Sequence, residues 1–299
     1  TTVDLPGNLT DQRWSLATGQ LQVDWHPADV GSRLQVHTPH GQATVLGTAF
    51  TAASGPWRSR FLVERGLVAV RSGTEQDRLA AGQAVSCFGE RLLRMPLDLA
   101  RTLPLALPTD DRMPGHDILP FLTDPAAAQS GSARVNAEGV LLDSGTAIRL
   151  PVEPGPSYDL HLRVRRMAGD ECLTINLPRA HEAPLIWFLS GWHDSRQGFN
   201  LIGGSHDRSN ETALWTALLP DDRIIDLHLR VRPGHVAVYV DGTLFSCWWP
   251  GLRLPDADSM EWPAPDPAHL RLATYSSAYT VLACHLQRAD GKPPRLPGL

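Results

Sequence analysis

The heptapeptide Asp-Leu-His-Leu-Arg-Val-Arg occurs twice in this chain, at residues 159–165 and again at 226–232. In each copy leucine, leucine and valine alternate with Asp, His and two arginines. An extended strand sorts that order into an apolar face and a face carrying histidine and arginine, because its side chains alternate with period two. The sequences flanking the copies do not match, so the repeat is read as two strands with the same half-buried demand, not as a duplicated domain. If the two were neighbours in one sheet, their arginines would crowd, and like charges opposite one another destabilise a strand pair. Two arrangements follow: the copies lie apart, or acidic groups or an anionic ligand sit between them.

Period-two texture recurs elsewhere. Val236, Val238 and Val240 alternate up to Asp241-Gly242, a turn pair that adopts positive φ, and residues 244–248 return, which spells a hairpin. No apolar run of period 3.6 exceeds a few turns, so the expectation is little helix and two β cores. At 299 residues the chain is long enough for both. A net charge of −5 and a pI near 6.2 leave no overall basic field and exclude nucleic acid as the main partner. The basic residues are almost all arginine, with Lys292 the only lysine. No stretch reaches the roughly 18–20 apolar residues that cross a bilayer as a helix. The chain is therefore expected to be soluble as given.

Residues 36–50 carry a further ordered pattern. Thr38-Pro39 ends a strand, Val45-Leu46-Gly47-Thr48 with Phe50 follows, then Val63, Gly66, Val68 and Val70, then Leu79 with Gly82-Gln83. Over about residues 10–95 this resembles the FecR-type domain. Thr38, Pro39, Gly47, Thr48, Phe50, Gly66, Gly82 and Gln83 are the positions that match that family's motif, and their expected role is structural. Gly66 is expected in a strand interior, at a bulge or a close backbone approach. FecR-type domains are extracytoplasmic parts of bacterial regulators that pair with sigma factors. The resemblance implies signal transduction by an anti-sigma regulator, a periplasmic or cell-surface location, and a membrane helix with a cytoplasmic segment upstream of Thr1. Since the chain opens on strand material without an initiator methionine, it is read as an excised part of a longer protein.

The expected domains are residues 1–95, a FecR-like β domain; 96–132, a connector broken by six prolines from Pro96 to Pro125; and 133–299, a second β unit. In the last, the hairpin together with residues 158–176, 198–203, 270–275 and 279–287 resembles laminin G-like and concanavalin-like β-sandwiches of jelly-roll type. The fold class is thus all-β. Cys87, Cys172, Cys247 and Cys284 show no metal-finger spacing and are read as buried free thiols, with a Cys172–Cys284 or Cys247–Cys284 bridge as the alternative in an oxidising compartment.

Retaining glycosidases on this type of sandwich carry a Glu-x-Asp-x-Glu motif or its longer form, which places two carboxylates about the sugar bond. This chain has none. Asp170-Glu171, Asp194, Asp207, Glu211 and Asp241 fall mostly at turns, His181, His193 and His206 lack zinc spacing, and Ser195 and Ser205 lack a nucleophile elbow. A calcium site through Asp194 or Asp207 is an option, but no cofactor or metal is assigned. Tryptophans concentrate in the second unit, and residues 187–196 join aromatic faces to polar groups, the mixture that sugar recognition uses. The candidate ligand residues are Trp187, Trp192, His193, Asp194, Arg196 and Trp215. The favoured function is a non-catalytic sensor or binding module for a glycan or an envelope protein partner. The alternatives are a glycan-modifying enzyme, since 3-keto-disaccharide hydrolase-like domains look similar, and a structural envelope protein.

Overall fold

The computed structural model describes all residues except 1, 5–10, 27–31, 46, 109–114, 180–181, 201–209, 221, 253–267 and 296–299. The chain is nearly all β, and none of its described helices is long and apolar enough to cross a membrane. It divides into two compact units, Thr1–Leu107 with Thr243–Phe245, and Pro108–Gly242 with Ser246–Leu299. Residues 96–132, the stretch broken by prolines, are distributed over both units. They carry the helix Leu97–Thr102 in the first unit, then the short strand His116–Asp117, the 3-10 turn Leu119–Thr123 and the strand Ala128–Ser130 in the second.

The first unit holds a six-stranded and a five-stranded sheet around a core that includes Trp25, Val36, Val45, Phe50, Phe61 and Val70. The strands Arg33–Thr38 and Gly41–Val45 form an antiparallel pair closed by the Thr38-Pro39 turn, where Thr38 Oγ1 donates to Gly41 O at 2.8 Å and accepts from Gly41 N at 3.0 Å. Gly66 does not interrupt a strand. It joins Arg58–Arg65 of the six-stranded sheet to Leu67–Ser72 of the five-stranded one, so the expected bulge is a corner between sheets. Gly47 makes the opposite crossing, between Gly41–Val45 and Ala49–Ser54. The two corners touch. Gly66 has φ +85°, and a Cβ there would lie 2.8 Å from Gly47 O and 2.8 Å from Thr48 Oγ1. Thr48 is fully buried and donates to Leu67 O at 3.1 Å, while Phe50 enters the core. The Gly82-Gln83 turn is tied into the six-stranded sheet by Gly82 N→Val63 O at 2.8 Å and Val63 N→Gln83 O at 3.0 Å.

The second unit is a sandwich of an eight-stranded and a seven-stranded sheet. The two heptapeptide copies lie on Tyr158–Ala168 and Ile224–Arg232, which are antiparallel neighbours in the eight-stranded sheet. Antiparallel register removes the like-charge conflict: Asp159 faces Arg230, His161 faces His228, and Arg163 faces Asp226. Each acid of one copy meets an arginine of the other, and Arg232 also reaches both Asp159 oxygens at 3.0 and 3.1 Å. Leu160, Leu162, Val164, Leu227, Leu229 and Val231 turn to the opposite face and are buried. On its other side Tyr158–Ala168 pairs with Ala278–Arg288, which sets His285 against His161. The hairpin His235–Val240 to Thr243–Trp248 forms as the sequence implies, with φ of 49° at Asp241 and 75° at Gly242. All four cysteines are buried free thiols, so neither candidate bridge forms.

Gly66→Val should destabilise the first unit by about 1–3 kcal/mol, because a branched side chain combines a left-handed φ with a backbone clash. Urea denaturation followed by a probe in this unit checks it, and an unchanged midpoint would show that the corner tolerates a side chain.

Candidate functional site

The site residues gather where the strand Glu182–Ser190 turns into Arg196–Phe199. Here the backbone leaves its ordinary regions. Ser190 has φ 64°, and Trp192, His193 and Asp194 follow with φ of 49°, 56° and 57°. A left-handed conformation costs an L-residue roughly 1–2 kcal/mol, so three in succession need support from outside the turn.

Asp194 supplies it. Its carboxylate accepts from Ser190 Oγ at 2.6 Å and from Leu219 N at 3.4 Å, and Arg166 Nη1 lies 3.6 Å away. Both charged side chains are buried, and Arg166 also donates to Leu219 O at 2.6 Å. The backbone N–H of Asp194 donates to Asp170 O at 2.9 Å, binding the turn to the neighbouring loop. Asp194 is therefore committed through Oδ1 to holding the turn. Asp207, the other calcium candidate, lies outside the described residues, as do His181, Ser205, His206 and Trp262.

Around this support the aromatic residues divide. Trp187 is fully buried, so it offers no ring face to a ligand; it packs opposite Phe199 within the seven-stranded sheet, and this corrects its place among the ligand residues. Trp248 and Trp249 are core residues too. Trp215 is 62% exposed, and the strand pairing sets it directly opposite Arg196. Arg196 is itself fully buried, with its guanidinium carbon 4.2 Å from the Trp215 ring centroid and 5.6 Å from that of the half-buried Trp192. The cation supports both indoles, and a cation over an aromatic face contributes about 0.5–2 kcal/mol. Arg196, expected among the ligand residues, thus lies beneath the rings.

His193 is exposed and pairs with Asp170, Nδ1 to Oδ2 at 2.6 Å. That hydrogen bond raises the imidazole above its ordinary value and lowers the carboxyl below its own. Asp170, Glu171 and His193 each bring one ligand atom within 4.8 Å of the others. One imidazole and two carboxylates suit a zinc-class ion better than calcium, which takes six to eight oxygens. Treating Asp170-Glu171 as plain turn acids passed over this convergence. The exposed Tyr275 was also missed; its N–H bonds Cys172 O at 2.9 Å beside the same loop, and no motif in the sequence marks it.

No protein-family model matches the chain, and no curated protein matches it. Among solved structures it is similar to carbohydrate-binding module CBM66 from Bacillus subtilis, at 10% identity and a TM-score of 0.39 over 53% of this chain and 92% of that one. The galectin LEC-6 of Caenorhabditis elegans aligns at 16% identity and a TM-score of 0.34, covering 52% of this chain and 100% of that one. A proposed anti-sigma factor from Parabacteroides distasonis aligns at 19% identity and a TM-score of 0.25, over 26% of this chain and 39% of that one. At these scores the likenesses bear neither on ligand nor on activity.

Asp194→Ala should cost the second unit about 3–5 kcal/mol, since it leaves Arg166 buried without its carboxylate and frees the left-handed turn. Asp194→Asn, which keeps an acceptor for Ser190, should cost less. Chemical denaturation of both variants checks the order.

Proposed function

We propose that the second unit is a non-catalytic module that binds a glycan on the Trp215–Trp192 surface. The observation that carries this reading is Trp215: an indole left largely exposed while a buried arginine supports it from within. A flat apolar ring held rigid from one side is what the C–H face of a pyranose stacks on, and fixed polar groups beside it set orientation. His193 and Asp170, both exposed, supply such groups on the adjoining turn and loop. We further propose that the first unit is a FecR-like domain and that the chain is the extracytoplasmic sensor part of an anti-sigma regulator. The support is the motif itself, whose Gly47, Thr48 and Gly66 meet at one corner of that unit. Fractionation of the full-length protein checks the location, and recovery in the cytosol alone would count against it.

A glycan array followed by calorimetry tests the binding claim. Trp215→Ala should weaken any glycan found by at least tenfold, within the roughly 1–3 kcal/mol of an anchoring ring, and Trp192→Ala by less. Binding of no glycan, or equal binding by Trp215→Ala, would overturn the reading. The bound oligosaccharide should also survive incubation with the protein. Cleavage that disappears in Glu171→Gln would make this an enzyme of the hydrolase-like group instead.

A further inference from the structure

We propose that the histidine row of the second unit is an acid-sensitive latch, in which protonation of His161 between His285 and His228 loosens the strand Tyr158–Ala168 from both neighbours. The inference is independent of the glycan reading. It rests on register. His285, His161 and His228 stand directly opposite one another on three adjacent antiparallel strands. The His161 and His228 rings lie 3.8 Å apart between centroids, tilted by 46°. Among the described residues, Nε2 of His161 and Nδ1 of His285 are buried with no hydrogen-bond partner. Neutral imidazoles can stack in this way, whereas imidazolium ions at that separation repel.

The surrounding charges set the balance. On its own strand His161 has Asp159 and Arg163 beside it, and on Ile224–Arg232 it faces Asp226, Arg230 and Arg232. Beyond them His235–Val240 brings Tyr239 against His228 and His235 against Arg232. From the other side Ala278–Arg288 brings His285 and Gln287, and the short strand His116–Asp117 sets Asp117 against His285. Three arginines, 163, 230 and 232, thus stand with three aspartates, 117, 159 and 226, so this neighbourhood is near neutral only while the imidazoles are uncharged.

Burial first, and then the charges of His228, His285 and Arg230, push His161 down to about 4 against the opposing pull of Asp159. A histidine whose folded value is depressed gives stability that is present above its unfolded value, near 6.5, and is lost as pH falls from there toward 4. Burial and the neighbouring Arg232 depress His235 as well, so it acts in the same direction. Although burial pushes Asp159 up, hydrogen bonds from His228 and Arg232 hold it below the ordinary carboxylate range, so it keeps its charge throughout the window. Asp226, raised by burial, works the opposite way at the acid end.

Hydrogen exchange on the full chain tests the latch, with rates corrected for the intrinsic effect of pH. Protection of amides in Tyr158–Ala168, Ile224–Arg232 and Ala278–Arg288 should fall roughly thirtyfold between pH 7.5 and pH 5, the factor for one histidine moved from 6.5 to about 4. His161→Gln should lose most of that fall, keeping only the smaller part that His235 contributes. Wild-type protection that does not change, or an equal fall in His161→Gln, would overturn the proposal. If that variant does not fold, NMR titration of the wild-type His161 ring decides: a midpoint well below 6.5 supports the latch, and an ordinary one overturns it.

Discussion

The second unit depends on where the strand Tyr158–Ala168 sits between its neighbours. A slip of one residue would turn Leu160, Leu162 and Val164 out of the core. A slip of two keeps the apolar face inward, so only the polar face can forbid it. Moved one way, each heptapeptide histidine would face an arginine of the other copy; moved the other way, Arg163 would face Ile224 instead of Asp226. The observed register sets both ends acid against base and leaves the histidines together at the centre. Two identical peptides achieve this only because they run antiparallel, where each reads the other in reverse.

What the sequence revealed and what it concealed divide along that line. The hairpin at Asp241-Gly242 and the Thr38-Pro39 turn were legible, since each is decided by residues within a few positions of one another. The all-β character was legible for the same reason, being a sum of local alternations. The neutralising partners of Arg163 and Arg230 were not, because they lie 63 and 71 positions away and are chosen by sheet order. Gly66 shows a subtler failure: a strand bulge and a corner between sheets ask for the same residue. Trp187 and Trp215 could not be separated by residue type, although Trp187 lies in the unbroken apolar run Leu185 to Leu189 and Trp215 lies between Leu214 and Thr216 in a more mixed stretch.

The candidate site rests on a buried pair in the same way that the sheet rests on its register. Asp194 and Arg166 hold a run of left-handed residues that local preference would not sustain, since a bulky tryptophan disfavours positive φ. Beneath the indoles Arg196 fills space that an apolar side chain could also fill. Its charge adds attraction to both ring faces while leaving the outer surface of Trp215 uncovered. Stiffness is the shared result, and a stiff aromatic surface loses little entropy when it meets a ligand.

The paired corners of the first unit bear on how it can form. The chain places Gly19–Asp24 in the six-stranded sheet and Arg33–Thr38 with Gly41–Val45 in the five-stranded one, crosses back to the six-stranded sheet at Gly47, and returns at Gly66 before the five-stranded sheet is complete. Neither sheet is contiguous in sequence, so neither can be finished while the other is unformed. Hairpins of consecutive strands such as Arg33–Thr38 with Gly41–Val45 can close locally, but joining them into either sheet needs contacts across the other sheet's strands, which slows folding. The same interleaving leaves no strand layer able to detach alone, so its unfolding should be all-or-none.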